Sequence, residues 1–89
     1  MIGIFYDKSF LKSAKKLSDV LQLILFEKIK EIQEYGISHP TLRTKSLSGK
    51  LSGFYSFRLN RSYRCLFHFI NQDIILLDEV AHRKGIYNP

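Results

Sequence analysis

Tryptophan is missing from this sequence, and cysteine occurs once, at Cys65. A single cysteine cannot close a disulfide within the chain, so a reducing compartment, the cytoplasm, is its simplest home. No apolar run approaches the roughly 20 residues of a membrane-spanning helix. The longest, residues 20–26 (VLQLILF), is broken by Gln22. The opening MIGIFYDKS lacks a basic segment ahead of a long apolar stretch, so it does not read as a secretory signal, and no membrane partner is expected. Cys65, His39, His68 and His82 do not fall at zinc-ligand spacing, and the acids are scattered. No metal or other cofactor is therefore expected. The glycines of LSGKLSGF do not stand between a strand and a helix, as a phosphate-binding loop would require. Repeats, low-complexity stretches and linkers are also lacking.

Acid is missing where it would matter most. Between residues 37 and 72 stand Arg43, Lys45, Lys50, Arg58, Arg61 and Arg64, with no Asp or Glu among them. The formal net charge is +6, so the whole excess equals that of this one block. A single exposed lysine is ordinarily a solvated surface charge. Six cations without a counter-ion repel one another, and such a field points to an anionic partner. Lys45, Lys50 and Arg61 are the candidate contacts to a nucleic-acid backbone.

What is present suits one small domain, residues 1–89. Apolar residues make up 45% of the 89, enough for a core. The short length leaves a thin stability margin that a partner covering apolar surface would widen. Ile2, Ile4 and Tyr6 alternate with Gly3 and Phe5, which predicts a strand. Asp7 and Ser9 are candidate caps for a helix carrying Phe10, Leu11, Ala14 and Leu17 on one face, with Lys8, Lys12, Lys15 and Lys16 off it. Ser18-Asp19 restarts the pattern. Leu21, Leu25, Ile29 and Ile32 mark a second helix, and Val20, Leu23, Ile24 and Phe26 widen its apolar face, so this helix is expected to be well buried. Gly36 should stop it.

The period then changes to two. Tyr55, Phe57 and Leu59 share one face of a strand and Ser56 and Arg58 the other. Residues 63–70 alternate again, with Tyr63, Cys65, Phe67 and Phe69 inward and Arg64, Leu66 and His68 outward. Ile74 to Val80 completes a three-stranded meander, and the tail AHRKGIYNP is expected to be too short for a helix. The fold class is α+β: two N-terminal helices on one face of a small antiparallel sheet, in the order β-α-α-β-β-β.

The meander also juxtaposes charges. A three-residue loop at Asn60 to Ser62 would pair Leu59 with Tyr63 and set Arg58 directly opposite Arg64, on the face away from the helices. Like charges directly opposite on a sheet are destabilising. Two arginines can splay into water there, or they can bind an anion between them, since guanidinium forks match phosphate oxygens. Beyond the last strand come His82, Arg83 and Tyr87. Taken singly, such residues are ordinarily packing or surface. Together with Arg58 and Arg64 they suit metal-free phosphoryl transfer. The arginines would stabilise the phosphorane, and His82 or Tyr87 would move the proton of an attacking ribose 2′-OH. Cys65 faces the core and is not expected to act as a nucleophile.

The stretch LSGKLSGFYSFRLNRSYRCLF, followed by ILLDEVAHRKGIY, resembles the RelE/ParE superfamily of bacterial and archaeal type II toxins. The specific part is Tyr63-Arg64 together with the closing His82 to Tyr87. The resemblance implies a ribosome-dependent endoribonuclease that enters the ribosomal A site and cuts mRNA by metal-independent 2′-OH attack. An acidic antitoxin would hold it inactive, and operator DNA would be met only through that antitoxin. It implies that Arg64 is the transition-state arginine, Arg83 the second arginine, and Tyr87 the tyrosine that stacks on or deprotonates the substrate. Arg58 takes the place of a strand lysine. Ser56 stands where RelE-type members carry another lysine, and His82 would take the base role instead, as in the related YoeB and HigB branches. The chain stops soon after Tyr87, so the C-terminal helix of some members is expected to be missing. Two alternatives are a ParE-like, non-nucleolytic poison of DNA gyrase and an inactive member that only binds its antitoxin.

Overall fold

Strand β1 (Gly3–Tyr6) forms one edge of a five-stranded sheet and runs parallel to the last strand, β5 (Ile74–His82). The computed structural model describes residues 2–87 and, of Tyr87, the backbone alone. Between these two strands lie helices α1 (Lys8–Lys15) and α2 (Asp19–Tyr35), then β2 (Lys45–Ser46), β3 (Phe54–Arg58) and β4 (Tyr63–Asn71). The order across the sheet is β1-β5-β4-β3-β2. The α+β class holds. The sheet is mixed rather than purely antiparallel, because the chain returns beside β1 in the direction β1 itself takes. The two-residue β2 is too short for a period to register in the sequence.

The helix ends follow their capping residues. The Asp7 carboxylate accepts from the Ser9 N–H at 2.9 Å, and Ser18 Oγ accepts from the Leu21 N–H at 3.2 Å. Gly36 closes α2 at φ +81°, a conformation that disfavours any side chain. Helix α1 is fastened to the sheet by Ser13, whose Oγ accepts from the Val80 N–H at 2.9 Å.

The core lies between the helices and the inward residues of β3, β4 and β5. Phe57, Phe67, Cys65, Ile75 and Leu77 are fully buried there, capped by Phe10, Leu25 and Ile32 from the helices. Phe57 packs against Phe67 with ring centroids 5.9 Å apart. Truncating it to alanine removes a fully enclosed ring, so Phe57→Ala should cost about 3–5 kcal/mol. In a domain of this size that should lower the thermal midpoint by more than about 10 °C, as read by circular dichroism.

Two further expectations are corrected here. Helix α2 is half buried rather than well buried: Val20 and Leu23 are each 67% exposed and Phe26 is 59% exposed. Leu25 and Ile32 carry the stripe that joins the core, while Val20, Leu23 and Phe26 stand largely open to solvent. The tail does form a helix, α3 (Arg83–Tyr87), so a short C-terminal helix is present after all. It is tied at its start by the Arg83 N–H, which donates to Ser62 O at 2.7 Å, and it buries Ile86. Tertiary anchoring of this kind forms a five-residue helix that its own propensity would not.

Strand β5 carries an irregularity. Leu66 pairs with Glu79 and Phe67 with Leu77, which leaves Asp78 as an extra residue in the β4–β5 ladder. A bulge of this kind re-aims a side chain. Here it brings the Asp78 carboxylate to 2.8 Å from His68 Nδ1.

Candidate nucleic-acid interface

The β3–β4 hairpin closes as its loop length requires. The Leu59 N–H donates to Tyr63 O at 3.0 Å, and Arg58 lies directly across from Arg64. Alternation along both strands puts the two arginines on the outer face of the sheet, away from the buried Phe57 and Cys65. Neither makes an ion pair with a carboxylate among the described residues; both donate to backbone carbonyls of the hairpin turn. Arg58 Nε donates to Asn60 O at 3.1 Å. Arg64 Nη1 donates to Asn60 O at 2.7 Å, to Tyr63 O at 3.1 Å and to Arg61 O at 3.2 Å.

A third wall comes from the segment before β2. A 3-10 turn (Pro40–Leu42) buries Leu42 completely and ends at Arg43, whose φ of +47° swings the chain back toward the sheet. Thr44 Oγ1 donates to Ile37 O at 2.6 Å and fixes this crossing. Lys45 then pairs with Ser56, on the strand face that Arg58 occupies. Arg43, Thr44, Lys45, Arg58 and Arg64 line one open cleft of about 300 Å³. Partial desolvation and then the fields of Arg64, Arg43, Arg61 and Arg83 lower the pKa of Arg58. An arginine stays charged at physiological pH, so that lowering marks a partly desolvated cation set among like charges rather than a loss of charge. Such a cleft attracts an anion and, with its guanidinium forks, suits a phosphodiester.

The residues singled out in the sequence do not all meet. Arg58, Arg64 and Lys45 line the cleft, and Arg61 and Arg83 contribute to its field. Lys50 sits on a separate 3-10 turn (Gly49–Leu51) and is not among the cleft-lining residues. His82 pairs with Tyr63 across β4 and β5, its ring 5.7 Å from the tyrosine ring. That places it one step out of alternation with Ala81, the partner of Arg64, and so on the opposite side of the strand. Its Nδ1 accepts from the Lys84 N–H at 3.2 Å. The Tyr87 side chain lies outside the described residues. Ser56 is buried on the outer face, and the cation nearest its place on the ladder is Lys45, from the neighbouring strand.

Sequence reasoning passed over two features. Arg43 was visible only as one cation of the basic block, because the left-handed turn that aims it has no signature in an arginine. The His68–Asp78 pair was hidden by the bulge. Burial raises the Asp78 pKa, while the His68 hydrogen bond and charge pull it back. His68 lies four residues beyond Arg64 on the same face, about 13 Å along the strand. The Arg64 guanidinium turns toward Asn60, at the opposite end, so the pair does not reach a phosphate held there. Cys65 is fully enclosed, and burial pushes its thiol pKa well up, which leaves it inert as a nucleophile. Among the described residues, no three His, Cys, Asp or Glu side chains gather as a metal-ligand set.

A second surface is apolar. Tyr6, Phe10, Leu11, Leu25, Phe26 and Ile29 line an open groove of about 300 Å³ along α1 and α2, with Lys15 at its wall. Lys30 Nζ sits 4.8 Å from the centroid of the exposed Phe26 ring.

No family model and no curated protein matches this sequence. Solved structures do. YafQ from E. coli strain BL21(DE3) superposes with a TM-score of 0.80 at 11% identity, over 99% of this chain and 100% of that one. The RelB–RelE antitoxin–toxin complex from Methanococcus jannaschii gives 0.75 at 26% identity, over 94% and 95%. The heterotetrameric YoeB–YefM toxin–antitoxin complex from Staphylococcus aureus gives 0.72 at 18%, over 89% and 93%.

Proposed function

We propose that this chain, which has the fold of the RelE/ParE toxin superfamily, is the toxin of a type II toxin–antitoxin pair and acts in the cytoplasm as a ribosome-dependent mRNA endoribonuclease. The observation that carries the reading is the Arg58–Arg64 pair: two guanidinium groups directly opposed on one sheet face, joined by Arg43 and Lys45, with no carboxylate paired to either among the described residues. Opposed like charges are costly in the free protein. That cost becomes an advantage when a doubly liganded phosphate develops extra negative charge.

The chemistry that fits is internal attack by the ribose 2′-oxygen on the adjacent phosphorus. The 2′-O–P bond forms and the P–O5′ bond breaks, leaving a 2′,3′-cyclic phosphate and a 5′-hydroxyl. Arg58, Arg64 and Arg83 stabilise the charge on the non-bridging oxygens. The Lys45 ammonium, one of the lining groups of the cleft, would protonate the departing 5′-oxygen. A tail group, His82 or Tyr87, takes the 2′-OH proton once RNA is bound. His82 must then swing round the end of β5 from its place beside Tyr63. Arg61 and Lys50 hold flanking phosphates, and the ribosomal A site supplies the mRNA in register.

The proposed partner is an acidic antitoxin segment. Its apolar side would cover the groove between α1 and α2, and its acids would meet Lys8, Lys12, Lys15 and Lys16 on and just after α1. Expression without that partner should arrest growth and halt translation, with new 5′ ends in cellular mRNA mapped by primer extension. Growth arrest with translation intact and gyrase-linked DNA breaks would replace this reading with the gyrase poison. No arrest at all would leave the antitoxin-binding member.

Charge gives an independent check. Replacing Lys45, Lys50 and Arg61 together with glutamine should flatten the salt dependence of RNA binding. Each phosphate that is no longer neutralised takes roughly 0.7 off the logarithmic slope on single-stranded RNA. An unchanged slope would mark the three as ordinary solvated cations.

A further inference from the structure

We infer that Asn60 is the positioning residue of the cationic cleft: its side chain fixes the β3–β4 turn, and the carbonyls of that turn hold Arg58, Arg64 and the start of α3 in one arrangement. The inference rests on the reading of this cleft as a phosphodiester site. Asn60 itself is exposed and is not one of the core residues, so packing does not explain its hydrogen bonds.

The bonds converge on one turn. Asn60 Oδ1 accepts from two backbone N–H groups, Ser62 at 2.9 Å and Tyr63 at 2.8 Å. A side-chain acceptor that takes N–H groups two and three residues on locks the loop, as an Asx turn does. The locked loop aims its carbonyls outward. Asn60 O then accepts from both arginines at once, Nε of Arg58 and Nη1 of Arg64. Arg61 O takes a further bond from Arg64 Nη1, and Ser62 O takes the Arg83 N–H. Three arginines on three elements are thereby referred to three consecutive carbonyls.

This arrangement also selects which guanidinium edges face the ligand. Arg64 has Nη1 on the turn, so its Nε–Nη2 edge is the one left to clasp two phosphate oxygens side-on. Arg58 has Nε on the turn, so its Nη1–Nη2 end is left for an end-on clasp. One carbonyl dipole lying between the two cations also offsets part of their repulsion. Without the Oδ1 bonds the loop can relax, the shared carbonyl moves, and each long side chain regains its rotamers.

Asn60→Ala removes the acceptor and leaves every cation in place. Asn60→Gly removes the same acceptor and tolerates any turn backbone; it should behave alike and covers the case in which the alanine variant does not fold. Single-turnover cleavage of mRNA on a programmed ribosome should fall about 10–100-fold, the scale of a misplacement near 1 Å, while the Kd for an RNA oligonucleotide changes less than about threefold. Asn60→Ser keeps a shorter acceptor and should recover part of the rate. In ¹⁵N spectra of the free protein, the Nε–H resonance of Arg58 should move toward that of a solvated arginine in the alanine or glycine variant. Wild-type rates in these variants, or a Kd that weakens in step with the rate, would overturn the positioning role. If the wild-type protein cuts no RNA, the nuclease reading fails by itself. The arginine spectrum then decides the matter for Asn60: an Arg58 resonance unchanged by Asn60→Ala overturns the inference, and a shifted one upholds it.

Discussion

Arg64→Ala should slow mRNA cleavage by at least about 100-fold, the scale of losing one donor to a developing oxyanion. Arg64 lines the cleft opposite Arg58, with one terminal nitrogen engaged by three backbone carbonyls of the hairpin and its side edge turned from them. RNA binding should fall much less, because Arg43, Lys45 and Arg58 still line the cleft. Arg64→Lys should not restore the rate. A lysine can supply the charge but not two parallel N–H bonds, and its ammonium cannot both rest on the turn and clasp a phosphate. The comparison needs single-turnover rates and oligonucleotide Kd values for the same variants. Losses of equal size in the two would mean that Arg64 contributes only ground-state attraction.

Replacing the ribose at the cut site by its 2′-deoxy counterpart should abolish cleavage, while binding stays close to that of the all-ribose strand. The proposed nucleophile is then absent. Cleavage that survives the substitution would sink the 2′-OH mechanism and the roles given to Lys45, His82 and Tyr87 with it. The same assay sorts the proton acceptors. If His82 reaches the site, His82→Ala removes the acidic limb of the pH–rate profile. If Tyr87 only stacks on a base, Tyr87→Phe keeps most of the activity and Tyr87→Ala loses it.

The hairpin was the most legible part of the sequence. Alternation fixed which residues of β3 and β4 face the core, and the length of the Asn60–Ser62 loop fixed the register, so the Arg58–Arg64 opposition followed without coordinates. The caps Asp7, Ser18 and Gly36 were legible for a similar reason, since each acts on its own helix end. Features that depend on distant neighbours were not. Val20, Leu23 and Phe26 have the character of core residues, but only the assembled chain shows that no described element covers them. Arg43 enters the cleft through a backbone turn that arginine rarely adopts. Helix α3 forms because Ser62, twenty-one positions earlier, supplies its first anchor. The parallel β1–β5 pairing likewise depends on where the two helices leave the chain.

The extra residue in β5 also sets a phase. Ile75 and Leu77 point inward two apart, and Val80 points inward again after three, because Asp78 absorbs the odd step. Deleting Asp78 would not simply remove a carboxylate from His68. It would leave an unbroken alternation, Leu77 inward, Glu79 outward and Val80 inward, and remove the bend that the bulge gives the strand. His82 would keep its place opposite Tyr63, but the twist with which β5 carries the tail there would change. A substitution at 78 keeps that bend and loses only the carboxylate, so the direction in which the tail leaves the sheet depends on the number of residues here rather than on their identity.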